Sequence, residues 1–320
     1  MTRPKVVALG GGHGLAATLR ALATLDLDLT AVVTVADDGG SSGRLRREFG
    51  AIPPGDLRMA LAALAGDDEW SNTWQRLLQH RYPGQGPLAG HAVGNLVLSA
   101  LAELEGGIVP ALAVVGRLVG ARGRVLPAST EPLEIVAQVV GLDPDDPGII
   151  TEVVGQVAVA TTVGAVCALR LSPEDPPACV EAVQAVLDAD FVVLGPGSWF
   201  TSVMTHLLVP DLRDALVKTG AERVVTINLA PQEGETDGFS PESHLEALAS
   251  HAPELVPDVV LADVDGVLDS HGLMSFVESA GGRLVLAPVA MGDGTPRHHP
   301  VRLAAAYAAI MGLEGGTAWR

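Results

Sequence analysis

Short runs of valine and other apolar residues alternate with longer stretches rich in alanine and leucine along most of this chain. Such runs are typical of strands that are buried on both faces, and the stretches between them are typical of helices that cover a sheet. The alternation therefore predicts an α/β, Rossmann-like fold with a mostly parallel sheet and helices on both faces. The predicted strands are residues 5–9, 29–35, 164–171, 191–194, 223–228, 259–262 and 284–288, and the predicted helices are residues 14–25, 177–187, 198–208, 210–219, 241–250 and 300–311.

Two segments depart from this alternation. Residues 54–118 are rich in helical pattern without an obvious strand, which predicts a helical insertion beside the sheet. Residues 125–159 carry short β-like runs and predict a small β-containing excursion. Because no linker or internal repeat divides the 320 residues, we expect one elaborated domain over residues 1–320.

Charge and cysteine content exclude several classes of protein. A formal net charge of −18 argues against a nucleic-acid surface, because phosphate backbones demand clustered Lys and Arg. Small anionic ligands stay compatible with that charge, since a local loop can override the global field. Cys167 and Cys179 lie in or beside apolar stretches, which predicts buried free thiols rather than a disulfide or a metal site.

The chain shows no pattern for export or membrane insertion. Its amino terminus enters a predicted strand without the apolar core of a signal peptide. The apolar stretch 153–171 contains Gln156, two threonines and two glycines, which favours two neighbouring strands over a membrane helix. We therefore expect a cytoplasmic protein.

Three glycine-rich junctions follow predicted strands. The first consists of Gly10, Gly11, Gly12, His13 and Gly14, the second of Asp37, Asp38, Ser41, Ser42 and Arg44 with intervening glycines, and the third of Gly195, Gly197, Ser198, Thr201 and Ser202. Open α/β sheets bind ligands at the carboxyl ends of their strands, and backbone N–H groups in such loops can bind an anion. Together the three junctions predict a site for a nucleotide.

The first and third junctions also have simpler, structural interpretations. Leu15 occupies the third glycine position of G-x-G-x-x-G, so the first loop fits the dinucleotide pattern incompletely and can serve close helix packing instead. Ser198 can act as an ordinary N-cap. Asp37 and Asp38 suit a magnesium ion or a ribose hydroxyl, and Mg²⁺ is the one cofactor that this pattern suggests.

The predicted insertion and the carboxyl-terminal region supply further polar candidates. Asp56 lies at a predicted helix start with Arg58 in the first turn, where the helix dipole disfavours a cation, so Arg58 is a candidate ligand contact. His91 and Asn95 are four residues apart and share one helical face, where they could bind a ligand or simply cap and bond the backbone. Arg297 precedes two histidines and a helix opened by Pro300, a place where a phosphate could bind.

Seven motifs in combination resemble those of the gluconeogenesis factor family (YvcK-like), within the phospholactate transferase-like (CofD-like) superfamily. They are GGGHG, TVADDGGSSGRLR, PPGDLR, GHAVGNL, GRVLP, VLGPGSWFTSV and RHHP, and the resemblance spans nearly the whole chain. It implies a nucleotide-binding cleft in a cytoplasmic regulator that links carbon metabolism to cell shape and peptidoglycan synthesis. The implied ligand is a UDP-sugar such as UDP-N-acetylglucosamine, and a homo-oligomer or cell-wall synthesis proteins are conceivable partners.

The resemblance also implies roles for individual positions. The loops at Gly10–Gly14 and Gly195–Ser198 would bracket the nucleotide, with Thr201 and Ser202 near a phosphate. Asp37, Asp38, Ser41 and Ser42 would face the diphosphate or a metal, and Arg297 would contact the UDP-sugar. Many relatives carry a hydroxyl residue where this chain has Pro300, which argues against a phosphorylation switch there.

Three classes of function stay open. The superfamily's enzymatic branch transfers phospholactate from a guanosine diphosphate-activated donor to the deazaflavin Fo with magnesium, and Asp37 and Asp38 match its acidic positions. Only 3% of the residues are aromatic and none is a clear deazaflavin-stacking residue, so a ligand-sensing regulator ranks above a 2-phospho-L-lactate transferase-type enzyme. A dinucleotide-dependent oxidoreductase ranks third, because Leu15 breaks its fingerprint.

Overall fold

The computed structural model describes residues 2–232 and 235–313. In chain order its elements are β1 (Lys5–Gly10), α1 (Gly12–Leu22), β2 (Asp28–Val33), α2 (Gly40–Phe49), α3 (Gly55–Leu64), α4 (Glu69–Gln79), α5 (Val93–Leu104), α6 (Ile108–Leu118), β3 (Arg124–Pro127), β4 (Glu134–Val140), β5 (Thr151–Val154), α7 (Gln156–Ala160), β6 (Ala165–Ser172), α8 (Val180–Leu187), β7 (Phe191–Leu194), a π-helical turn (Trp199–Val203), α9 (Met204–Leu207), α10 (Pro210–Lys218), β8 (Glu222–Thr226), α11 (Pro241–His251), β9 (Val259–Asp263), α12 (Ser270–Ser279), β10 (Arg283–Ala287) and α13 (Pro300–Ile310).

A seven-stranded parallel sheet forms the centre of the fold, in the order β10-β9-β8-β7-β1-β2-β3. The chain starts at β1, moves outward through β2 and β3, and later returns to the other side of β1 with β7. The strand order therefore reverses between β1 and β7. In open α/β sheets, ligands bind outside the carboxyl ends of the strands at such a reversal. The predicted Rossmann-like fold is confirmed.

The central strands are covered on both faces. Val6, Val7, Ala8 and Leu9 of β1 are all buried although successive side chains point to opposite faces of a sheet. Helix α1 follows β1 directly and packs against α3 and α13. Since both faces lie under helices, polar groups at this sheet can reach a ligand only at the ends of its strands, and the loops after the strands provide that access.

Residues 54–118 form helices α3 to α6, as the helical pattern predicts. The described part of this segment contains one isolated bridge, between Arg81 and Ala92, and no longer strand. Helix α3 packs against α1 and connects the insertion to the sheet. The organisation as one domain stays a prediction.

The β-containing segments differ from the prediction in two ways. Strand β3, expected in a separate excursion, pairs with β2 and forms the edge of the main sheet. Strand β6, expected in the main sheet, pairs with β4 in a three-stranded antiparallel sheet of order β5-β4-β6. Strands β5 and β6 are therefore not neighbours. An apolar run predicts a strand but carries no information about its pairing partner, which explains both errors.

Two further expectations can be compared with the structure. Both cysteines are free thiols, but Cys167 is exposed and only Cys179 is buried, so the predicted burial of Cys167 is wrong. Cys167 lies where the register between β4 and β6 shifts on an edge strand, which leaves its side chain outside the core. None of the helices among the described residues has the length and apolarity needed to cross a membrane.

Candidate functional site

The first and third glycine junctions touch each other where the strand order reverses. A Cβ added to Gly14 would lie 2.1 Å from the carbonyl oxygen of Pro196, so only glycine permits this approach of two backbones. Helix α1 begins at Gly12 and has no acidic residue in its first turn. Its amino-terminal N–H groups and the positive end of its dipole are therefore available to an anion at this edge of the sheet.

Two carboxylates lie close by, one against the first junction and one against the start of α3. A Cβ on Gly11 would be 2.6 Å from Asp56 Oδ2, and a Cβ on Gly55 would be 2.5 Å from Asp37 Oδ2. Burial, and then the nearby charge of Asp37, raise the pKa of Asp56 to about 7, although a hydrogen bond from the Gly12 backbone opposes the rise. The carboxyl group of Asp56 is therefore partly protonated near neutral pH unless a cation binds beside it.

Asp38 faces a different part of the molecule. Its Oδ1 accepts a hydrogen bond from the Val157 backbone N–H at 3.0 Å, at the start of α7. A Cβ on Gly155 would be 2.2 Å from Asp38 Oδ2, so the small antiparallel sheet packs closely on this side chain. The carboxylate that interacts electrostatically with Asp37 is that of Asp56. Within the described residues, no group of three or more His, Cys, Asp or Glu side chains is arranged to hold a metal ion.

The third junction contains an acidic partner that sequence reasoning missed. Glu235 Oε1 accepts hydrogen bonds from Ser198 Oγ at 2.6 Å and from the backbone N–H groups of Phe200 and Thr201, both at 2.9 Å. Burial raises the pKa of Glu235, while these hydrogen bonds oppose the rise. It lies 37 residues after Ser198, in a segment with glycine and hydroxyl residues (QEGETDGFS) that the sequence analysis did not single out because it follows no predicted strand directly.

Two clefts open on either side of the glycine loop. The smaller, of about 360 Å³, is lined by these predicted residues: Gly11, Gly12, His13, Gly14, Asp56, Gly197, Ser198, Thr201 and Ser202. The larger, of about 520 Å³, is lined by His13, Gly14 and Gly197 and, at its far end, by Arg297. The two clefts share His13, Gly14 and Gly197 and therefore adjoin each other at the loop, and the two together are called the groove below. Gly10 and Gly195 lie behind this loop at the strand ends and do not line it.

Arg297 and His298 in the larger cleft combine an exposed cation with a partly buried imidazole. The side chain of Arg297 is 70% exposed and forms an ion pair with Asp293 at 3.5 Å. His298 also lines the groove, its Nε2 has no hydrogen-bond partner among the described residues, and burial lowers its pKa to about 4. Arg20 and Asn228, which the sequence analysis did not single out, line the same cleft.

The polar candidates of the insertion bind one another. Arg58 Nε donates to Asn95 Oδ1 at 2.8 Å, and the guanidinium also bonds Gln79. Asn95 Nδ2 donates to Ser41 Oγ at 3.1 Å and lies 3.4 Å from Ser42 Oγ. The network is completed by His91, whose Nδ1 lies 3.0 Å from Ser41 Oγ.

This buried network joins α2, α3 and α5. Arg44 also has internal partners, since it donates to the carbonyl oxygens of Pro87 and Ala89. The six candidates of this region line neither cleft: Ser41, Ser42, Arg44, Arg58, His91 and Asn95. Arg58 nevertheless interacts electrostatically with Asp56, which lines the smaller cleft, and with Asp37, which lines neither cleft, so the network adjoins this acidic pair.

Comparisons with known proteins show the family of this chain. Residues 6–275 match the family model described as "2-phospho-L-lactate transferase CofD". A protein of Mycobacterium tuberculosis named "Putative gluconeogenesis factor" is 50% identical over 97% of this chain and 91% of its own length. The "Gluconeogenesis factor" of Halalkalibacterium halodurans is 36% identical over 84% of this chain and 80% of its own length.

A solved structure supports the same relationship. The crystal structure of a UPF0052 family member from Bacillus halodurans superposes with a TM-score of 0.85 and 32% identity, covering 96% of this chain and 99% of that chain. Both the matched residues and the fold thus extend over most of the molecule. The chain therefore belongs to the CofD family, among the proteins named gluconeogenesis factors.

Proposed function

We propose that this protein binds a nucleotide sugar of the UDP-N-acetylglucosamine type and acts as a regulator rather than as an enzyme. The observation that carries the proposal is the pair of adjoining clefts at the glycine loop, where the strand order reverses between β1 and β7. A nucleotide sugar has two polar ends joined by a diphosphate. The groove has two clefts joined at His13 and Gly14, beside the amino-terminal end of α1.

The chemistry of the groove suits such a ligand. The diphosphate would lie over the N–H groups at the start of α1, where the helix dipole favours negative charge. Arg297 at the open end could rotate from Asp293 to the ligand, because an exposed ion pair is weak. His298, held neutral by burial, would offer its unpartnered Nε2 to a hydroxyl or amide of the ligand.

Magnesium would fit between Asp37 and Asp56. Their mutual repulsion is one of the causes that raise the pKa of Asp56, and a divalent cation between them would remove that repulsion. Mg²⁺ in proteins is commonly bound by one or two carboxylates together with phosphate oxygens of the ligand. The two Asp residues would then hold the metal against the diphosphate, and Asp38 would keep its bond to α7.

Regulation is favoured over catalysis by what lines the groove. No Phe, Tyr or Trp side chain lines either cleft within the described residues, so a flat acceptor such as a deazaflavin would find only the smaller imidazole rings of His13 and His298. The second candidate function, a magnesium-dependent transferase of the 2-phospho-L-lactate type, is favoured by the Asp37 and Asp56 pair and by the family relationship.

The biological setting belongs to the same proposal. The relatives are named gluconeogenesis factors, which supports a role in carbon metabolism. A protein that senses a UDP-sugar would report the supply of a cell-wall precursor, so we place it in the cytoplasm with a role in cell shape and peptidoglycan synthesis. Its macromolecular partners would then be cell-wall synthesis proteins or a second copy of the chain.

Calorimetric titration of the purified protein with UDP-N-acetylglucosamine, with and without magnesium, tests this proposal against a guanosine diphosphate control. We expect saturable, uridine-selective binding and an intact sugar nucleotide on chromatography afterwards. Guanosine-selective binding that requires magnesium would reverse the ranking in favour of the transferase. No saturable binding of either nucleotide would contradict both candidates.

A further inference from the structure

An anion already occupies the third glycine junction, and it comes from the chain itself. One oxygen of Glu235 accepts from Ser198 Oγ, Phe200 N and Thr201 N at the start of the helical segment 199–207. Convergent hydroxyl and backbone N–H donors after a strand of an α/β sheet are the groups that usually hold a phosphate oxygen. In this conformation the carboxylate of Glu235 uses them.

Among the described residues, no cation forms an ion pair with this carboxylate. Glu235 is 7% exposed, and none of the ion pairs among the described residues includes it. The side-chain amide of Gln232, in the orientation that satisfies its neighbours, donates to Glu235 Oε2 at a distance of 3.2 Å. The donors that the described residues supply to it are all neutral, and burial opposes its ionised form.

The same donors border the ligand groove. Ser198, Thr201 and Ser202 line the smaller cleft together with the glycine loop and Asp56. A phosphate group in that cleft would compete with the Glu235 carboxylate for the same hydrogen-bond donors. Two anions cannot share those donors, since like charges at such separations repel strongly where water is excluded.

We propose that Glu235 is an internal competitor for the phosphate-binding donors of the β7 loop and leaves them when a ligand phosphate binds there. The inference rests on the proposed function, because it concerns regulation of the same groove. The competing group is held by a short turn in which Thr236 N donates to Gln232 O at 2.9 Å. Beyond that turn the Phe239 ring packs edge-on against Phe200, with ring centroids 6.0 Å apart.

Such competition would weaken ligand binding in a defined way. Only molecules in which Glu235 has left its donors can bind the phosphate. The apparent affinity is therefore the intrinsic affinity multiplied by the fraction of such molecules. Removing the charge while keeping the shape should therefore tighten the binding of any phosphate at this position. A role for Glu235 in stabilising the fold alone predicts no such gain.

The test titrates inorganic pyrophosphate into the full chain and into Glu235→Gln. Glutamine keeps the size and one acceptor oxygen but carries no charge. Glu246→Gln on α11 is the matched control, because it removes one negative charge from an exposed side chain. We expect the dissociation constant of Glu235→Gln to be about fivefold lower than that of the parent, and that of the control to be unchanged. Equal or weaker binding by Glu235→Gln, or absence of binding by it, would overturn the proposal.

A second measurement covers the case in which the variant fails to fold. In the unmodified protein, saturating pyrophosphate should speed amide hydrogen exchange at Thr236 and Phe239, because the turn is released. Unchanged or slower exchange there would overturn the proposal. If UDP-N-acetylglucosamine fails to bind either protein while pyrophosphate binds Glu235→Gln more tightly, the nucleotide-sugar function fails and the competition stands.

Discussion

The groove at the carboxyl edge of the seven-stranded sheet and the network within the helical insertion contain similar side chains in very different states. In the groove, Asp56 has a pKa raised to about 7, and one nitrogen of His298 has no hydrogen-bond partner in the part of the chain that the structure describes. In the insertion, Arg58 and Asn95 bond each other and their neighbours. Residues that bind ligands are usually held ready at some electrostatic cost, whereas structural polar groups satisfy one another.

This difference separates binding from support. A buried network that is fully hydrogen-bonded fixes how helices pack, and its loss affects stability first. Groups left without partners beside a cleft add little to stability and can even reduce it. Substitutions in the two regions should therefore have opposite patterns of effect on stability and on ligand binding.

The largest effect is expected for Arg58→Met. Methionine preserves much of the side-chain volume but leaves Asn95 Oδ1 and Gln79 Oε1 without their donor. Asn95 is buried and Gln79 is exposed, so the loss is mainly that of the Asn95 acceptor and should cost about 2–3 kcal/mol of unfolding free energy, measured by urea denaturation. At a temperature where the variant is folded, its affinity for UDP-N-acetylglucosamine should change little. A large loss of affinity with unchanged stability would place Arg58 in the binding site and erase the distinction.

Asp56→Asn should show the reverse pattern, with increased stability and weakened ligand binding. The pKa of Asp56 in the folded protein, about 7, lies above its usual value of 3.8. Between these values the folded state holds a proton that the unfolded state has lost, so this group lowers stability as pH rises through that window. Asparagine removes the charge, so the variant should be more stable at about pH 8, by on the order of 2 kcal/mol, with no gain at about pH 4.

The same variant should bind ligand poorly when magnesium is present. Without the second carboxylate, the metal loses one of its two predicted protein ligands, and we expect about a tenfold or greater loss of magnesium-dependent affinity. Asp38→Asn is the matched control, since Asp38 bonds α7 and not the acidic pair. Full magnesium-dependent binding by Asp56→Asn would remove this residue from the proposed metal site.

The smallest effect is expected for Arg297→Ala. Its exposed ion pair with Asp293 contributes little, so the melting temperature should stay within about one degree of the parent. The loss of a charge-assisted contact should weaken UDP-sugar binding about 5–10-fold in calorimetry. Arg76→Ala, an exposed arginine on α4, removes the same charge away from the groove and should leave affinity unchanged. Equal affinity for Arg297→Ala and the parent would contradict the assignment of Arg297 as a contact for the UDP-sugar.

The strands and helices that carry the fold could be predicted because each is specified locally. The valine-rich runs at β1, β7 and β9 match the predicted strands closely, since burial on both faces requires continuous apolar sequence. The pairing of β3 with β2 and of β6 with β4 could not be predicted. Pairing depends on contacts between strands that are distant in sequence, and an apolar run looks the same in either sheet.

The candidate site divides in the same way. The glycine loops could be predicted, because backbone approaches such as that of Gly14 to Pro196 exclude every other residue. Glu235 and the electrostatic coupling of Asp37 with Asp56 could not, since they arise only when separate loops meet. Sequence also could not show that Arg58 and Asn95 satisfy each other.

Amide hydrogen exchange with and without UDP-N-acetylglucosamine tests the distinction between groove and network most directly. Bound ligand should slow exchange at the amides of Gly12 and Gly14, whose loop lies at the centre of the groove. The amides of α5, which carries Asn95, should exchange at unchanged rates. Protection confined to α5 and the start of α2, with none in the glycine loop, would contradict the account.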